Sequence, residues 1–167
     1  VLRALDLIDK GIGAVLRPVL FFLMAALIVA ISLQVGSRLF FRALGWTEEV
    51  SRFLVIWITF LGAALAWQQH RHIAVGVLAD ALPDRTARLV RIAACVVVIG
   101  FMLALVKVGL DYMGTQGRQR SASLRLSMGR VYAVIPLSAA LMAWFALSDL
   151  LRLATGHKVP AQGGTGQ

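Results

Sequence analysis

Charge is scarce in this chain. Only 15% of its 167 residues are Asp, Glu, Lys or Arg, and eight of them are acidic. Soluble domains carry about 25% charged residues, so an ordinary globular fold is excluded at the outset. Cysteine is scarcer: Cys95 stands alone inside an apolar run, which excludes an intrachain disulfide and any CxxC redox or zinc motif. The three histidines, His70, His72 and His157, lie outside the long apolar runs, so no bis-histidine haem can sit between helices. His70 and His72 are two residues apart and do not share a helical face. No adjacent Cys, Asp or Glu completes a metal shell around them, and there is no Walker loop for a nucleotide. The chain is therefore read as a non-enzyme with no metal site and no cofactor of its own.

What is abundant is apolar. Hydrophobic residues make up 59% and the mean hydropathy is +0.81. The 17 Lys and Arg give a net charge of +9, a balance that on a compact soluble domain would point to nucleic acid. Here the basic residues fall between long uncharged runs, the distribution of an integral membrane protein, and nucleic acid is not an expected partner.

Four runs have the length to cross about 30 Å of hydrocarbon as helices: about 18–37, 53–69, 89–112 and 131–149. The second is bracketed by Trp46 and Trp67, about 31 Å apart along a helix axis, the spacing of two interfacial anchors. The third must extend past Lys107 with its stem snorkelling outward. The first follows Arg3, Lys10 and Arg17 as a secretory core would, but it is longer than the usual 7–15 residues of such a core and is kept as a retained span. Ahead of it Leu5, Ile8, Ile12, Val15 and Leu16 recur at helical spacing, with Arg3, Asp6, Lys10 and Arg17 largely on another face. That pattern predicts an amphipathic helix on the membrane surface. Ile73 to Leu82 predicts a second, ended by Pro83, with Asp84 capping the third span. The fold class is thus an all-α integral membrane protein: four transmembrane helices plus amphipathic interfacial helices. They form a single domain over 1–154, with a Gly- and Gln-rich flexible tail at 155–167. Lys and Arg divide nine to eight between the two sides, so charge alone does not orient the chain.

The remaining polar residues gather at span ends. Thr47 is placed to cap the second span, Glu48 and Glu49 favour its positive N-terminus, and Glu48 precedes Arg52 by one turn, the favourable order for an ion pair. These residues make either a well-built helix start or a polar latch against a partner. Thr59, Gly62, Ala63 and Ala66 place small residues at four-residue spacing and predict a close helix contact, either within this chain or with another subunit. Lys107 and Asp111, one turn apart, can neutralise each other at the end of the third span, in the less favourable order. Spans one, two and four carry no interior charge, whereas a stand-alone transporter needs an ionisable residue or a broken helix at mid-membrane. The deficit points to an accessory subunit. The alternative is an independent small transporter or channel that assembles as a homo-oligomer. The connection 107–130, with Arg118, Arg120, Arg125 and Arg130 against Asp111 alone, is suited to docking an acidic partner or to facing phospholipid.

Trp46-Thr47-Glu48-Glu49-Val50-Ser51-Arg52, Leu61-Gly62-Ala63-Ala64, His72-Ile73-Ala74-Val75, and Ser123-Leu124 followed by Tyr132 and Ile135-Pro136, in that order, resemble the small membrane subunit (DctQ-like) of tripartite ATP-independent periplasmic (TRAP) transporters. Ser127 departs from the pattern, where family members commonly carry proline. The resemblance implies a non-catalytic four-helix scaffold in the bacterial inner membrane with both termini cytoplasmic. Its partners would be a large multi-span subunit, which holds the sodium and substrate sites, and a periplasmic substrate-binding protein that delivers an organic acid such as a carboxylate. Under that orientation Arg38, Arg42 and the arginines of 107–130 face the periplasm, where they are expected to steer or hold the binding protein. Thr59, Gly62, Ala63 and Ala66 are expected to brace the large subunit.

Overall fold

The computed structural model describes residues 2–40, 45–69 and 84–154. The expected surface helix at Ile73–Leu82, the three histidines, Arg42, the side chain of Asp84 and the tail lie outside the described residues. Helix α1 runs over Leu2–Phe40, α2 over Gly45–Gln69, α3 over Asp84–Gln116, α4 over Met128–Tyr132 and α5 over Val134–Ala154. Among the described residues four stretches are long and apolar enough to cross a membrane: Leu5–Leu39, Gly45–Gln69, Leu89–Gln116 and Met128–Leu153.

The first departs from expectation in shape. The amphipathic N-terminal segment and the first span form one helix of 39 residues, about 58 Å long, rather than an in-plane helix followed by a span. Pro18 supplies no N–H to the turn before it, yet the helix continues through it. The segment also turns a different face inward. Leu5, Asp9, Gly13 and Leu16 are buried, at the four- and three-residue steps of one helical stripe, while Ile8 and Val15 are exposed. A neighbouring helix, not the membrane plane, has taken up that stripe.

Adjacency runs α1, α2, α5, α3, with α5 inside and packed on both α2 and α3. The composition of α5 follows from its place: 44% of its most apolar window is buried within the chain, against 11% in each of the other three spans. Leu16, Leu61 and Val134 form the core where α1, α2 and α5 meet, with Ile12, Leu20, Ile56, Trp57 and Leu141 packed around them. Without water to exclude, such contacts rest on close packing. At the α3–α5 crossing a Cβ on Gly109 would lie 3.0 Å from Pro136 Cδ. Pro136 also explains the interruption at Ala133, because its nitrogen cannot donate to the carbonyl of Tyr132 and the short α4 ends there. Trp57 of α2 donates its indole N–H to the Val131 carbonyl at 3.1 Å, tying the second helix to that break. Tyr112 and Tyr132 meet edge to face, 5.0 Å between centroids.

Candidate functional site

Because the four spans alternate in direction, the start of α2, the end of α3 and the segment 117–127 share one end of the molecule. The start of α1, the end of α2 and the end of α5 share the other. Each end carries a polar junction.

At the first end, α3 continues to Gln116, so the expected long basic connection shrinks to residues 117–127, and that segment is folded. The Ser121 N–H donates to the Leu126 carbonyl at 2.8 Å and the Met128 N–H to the Gln119 carbonyl at 3.0 Å, around an antiparallel bridge between Arg120 and Ser127. Ser121 Oγ accepts from the Leu126 N–H at 3.1 Å, and Ser127 Oγ donates to the Gly117 carbonyl at 3.0 Å. Arg125 takes a left-handed conformation, φ 52°, uncommon for a residue with a side chain. The base of the loop is tight. A Cβ on Gly129 would approach the Met113 carbonyl oxygen to 2.7 Å, a contact that only glycine avoids.

The loop is fastened from outside itself. Three consecutive N–H groups, of Ala122, Ser123 and Leu124, converge on the Glu49 carboxylate of α2: the first on Oε1 at 3.0 Å, the others on Oε2 at 3.1 and 2.9 Å. Successive backbone N–H groups facing one way make an anion-binding concavity, and here an internal carboxylate occupies it through charge-assisted bonds. Arg118, Arg120, Arg125 and Arg130 are exposed around it, with Leu124 and Leu126 exposed beside them at 37% and 41%. Arg38, at the end of α1, is exposed as well.

Of the other residues singled out in the sequence, Glu48 and Arg52 pair at 3.4 Å with both side chains mostly exposed, a geometry worth at most about 1 kcal/mol. Thr47 is not the cap. The helix begins at Gly45 and Thr47 is fully buried in its first turn. Lys107 and Asp111 are both exposed and form no ion pair within 4.0 Å, consistent with their unfavourable order. Thr59, Ala63 and Ala66 are exposed, and nothing lies within 4 Å of a Cβ built on Gly62. The described helices therefore leave that face uncovered.

The second end holds a junction that the sequence reading missed. Arg152 of α5 is 9% exposed and places Nη2 2.6 Å from Asp6 Oδ1 and 2.8 Å from Asp9 Oδ2, with Nη1 3.6 Å from Asp149 Oδ1. Asp9 Oδ1 accepts from the Trp144 indole at 3.1 Å and from Ser148 Oγ at 3.5 Å, while the Gln68 side-chain amide donates to the Asp9 carbonyl. Helices α1, α2 and α5 are thereby tied at one level. The signal was legible in part: Asp9 falls on the stripe of Leu5, Ile12 and Leu16, and an acid on an apolar stripe needs a buried cation. Nothing in the sequence named Arg152, 143 residues away, as that cation.

A multi-span helical protein whose described buried ionisable groups gather at one end, with a folded basic loop at the other, has the architecture of a membrane subunit. The chain matches, over residues 27–156, the family described as tripartite ATP-independent periplasmic transporters, DctQ component. It belongs to that family. It is 40% identical over 62 residues to a putative TRAP transporter small permease protein of Haemophilus influenzae, covering 36% of this chain and 38% of that one. It is 30% identical over 106 residues to the sialic acid TRAP transporter small permease protein SiaQ of Vibrio cholerae, covering 62% and 58%. It is 32% identical over 107 residues to the isethionate TRAP transporter permease protein DctMQ of Oleidesulfovibrio alaskensis, 63% of this chain but 17% of that protein. The matches thus span less than two thirds of each relative. These relatives are named as permease proteins, a transporter role and not an enzymatic one.

Proposed function

We propose that this chain is the non-catalytic small subunit that braces a large multi-span TRAP subunit and helps dock a periplasmic substrate-binding protein, for sodium-coupled import of an organic acid. The observation that carries the reading is the family match over residues 27–156. Close association with a larger permease partner is favoured by the Oleidesulfovibrio relative, in which the similar stretch is a minor part of one long permease protein. An organic acid is favoured by the relatives named for isethionate and sialic acid. Sodium and substrate would be held by the large subunit, and this chain would carry no cofactor.

In this reading the protein sits in the bacterial inner membrane with both termini cytoplasmic, so the folded loop, Arg38 and Arg42 face the periplasm. The exposed arginines on and beside the loop, Arg118, Arg120, Arg125 and Arg130, suit an acidic protein surface, to which they would give on-rate and register. The uncovered face of Thr59, Gly62, Ala63 and Ala66 suits close approach by a helix of the large subunit, and phospholipid covers the remaining apolar flanks. Among the described residues the buried charges support a brace over a solute path, since they are drawn to one end, where Arg152 bridges Asp6, Asp9 and Asp149, whereas a transport site places them at mid-membrane. Reconstitution tests this. Proteoliposomes holding this chain, its large subunit and the binding protein should take up substrate, and omission of the large subunit should abolish uptake. Uptake by this chain alone would establish the independent transporter instead.

A further inference from the structure

Four arginines on a loop do not need a fixed shape to attract an anionic surface. A membrane rich in acidic lipid attracts each basic residue by about 1 kcal/mol whether the segment is ordered or not. Yet the segment 117–127 is held in one conformation by its cross-bridge, by Ser121 and Ser127, and by three N–H bonds to a carboxylate from another helix. It also keeps Arg125 at a costly left-handed φ and leaves Leu124 and Leu126 out in the open. Ordering a loop before binding is useful to a partner that must match its shape, because the ordering cost is then met before the encounter.

We propose that Glu49 is the positioning residue of the docking loop: its carboxylate fixes the 121–127 backbone so that Arg118, Arg120 and Arg125, with Leu124 and Leu126 beside them, present one preformed surface to an acidic soluble protein. This rests on the docking reading above and adds to it a residue on α2, outside the loop, whose own charge opposes attraction of an acidic partner. The consequence has a sign. Glu49→Gln removes a negative charge and makes the loop region more basic, so an interaction driven by charge alone tightens or stays the same, whereas a shape-dependent one weakens.

The test uses the complete transporter in proteoliposomes, with the binding-protein concentration at half-maximal uptake as the measure. Glu49→Gln should raise it roughly tenfold through the lost ordering of the loop, and Glu49→Asp, which keeps the charge, should recover part of the loss. Hydrogen exchange at the amides of residues 122–124 should accelerate in Glu49→Gln. Should Glu49→Gln fail to assemble, Ser121→Ala, which removes the acceptor of the Leu126 N–H and the hydroxyl's own hydrogen bond to Glu49 but keeps the three backbone bonds to that carboxylate, should shift half-saturation in the same direction by a smaller factor. Unchanged exchange, or faster exchange with unchanged or tighter docking, would overturn the proposal. So would a dependence of uptake on phosphatidylglycerol content without any movement of half-saturation, which would assign the loop to the lipid surface. If the combined Arg118→Glu, Arg120→Glu and Arg125→Glu variant leaves half-saturation where it was, the docking reading itself fails, separately from the part assigned to Glu49.

Discussion

Replacing Arg152 with Met would remove the one described cation that reaches Asp6, Asp9 and Asp149 together while keeping most of the buried stem. The three carboxylates do not weigh equally. Asp6 is 55% exposed on its side chain, and a pair of that kind contributes about 1 kcal/mol or less. Asp9 is 4% exposed and lies 2.8 Å from the guanidinium. Breaking a buried pair by removing one partner costs about 3–5 kcal/mol, because the other charge stays behind without compensation. Asp149, fully buried, lies 3.6 Å from the same guanidinium, so the expected loss for Arg152→Met is about 3–5 kcal/mol, through Asp9 and Asp149 together, and Asp6→Asn should lose about 1 kcal/mol at most. The double variant Asp9→Asn with Arg152→Met removes both charges, and Asn can still accept the Trp144 indole, so it should be more stable than Arg152→Met alone. Thermal unfolding of the purified chain in detergent, run as a double-mutant cycle, measures each term. A loss below about 1 kcal/mol for Arg152→Met, or no recovery in the double variant, would refute the claim that this pair fastens α1 to α5.

Gly129→Ala should destabilise the loop base by about 1–3 kcal/mol, since its Cβ would meet the backbone carbonyl of Met113 at 2.7 Å; faster proteolysis between residues 117 and 127 would report it. Gly62→Leu should leave the melting temperature of the isolated chain unchanged, since a Cβ at that position meets nothing within 4 Å, and should reduce co-purification with the large subunit. An intact complex would remove that face from the interface. Trp57→Phe loses the 3.1 Å bond to the Val131 carbonyl and should cost about 1 kcal/mol, read in the same unfolding assay.

Where the sequence was misread, the cause was a neighbour it could not name. Ile8 and Val15 belong to the apolar periodicity of the N-terminal segment as fully as Leu5 and Leu16 do, and a membrane surface would have accepted them all. The structure buries Leu5 and Leu16 and exposes Ile8 and Val15, because α2 and α5 present Gln68, Trp144 and Arg152 to one stripe only. Glu49 was legible as a good residue for a helix start, three residues before Arg52, so its local setting called for no distant partner. Its actual partners are backbone N–H groups 73 to 75 residues further on, and backbone groups leave no mark in a sequence.

The sequence by itself determined the solvent and the count of candidate spans. Runs of apolar residues interrupted by charge specify four lipid-crossing helices because every backbone polar group in hydrocarbon must be satisfied within its own helix, a local condition that composition and length express. The tertiary structure alone decided the order α1, α2, α5, α3, the collinear N-terminal segment, and the two fastened ends. In each case the deciding interaction joins helices far apart in the chain, through packing and hydrogen bonds whose partners are chosen by position in space. The arginines of 117–130 were visible as charge, and only the fold, through Glu49, turned them into a surface.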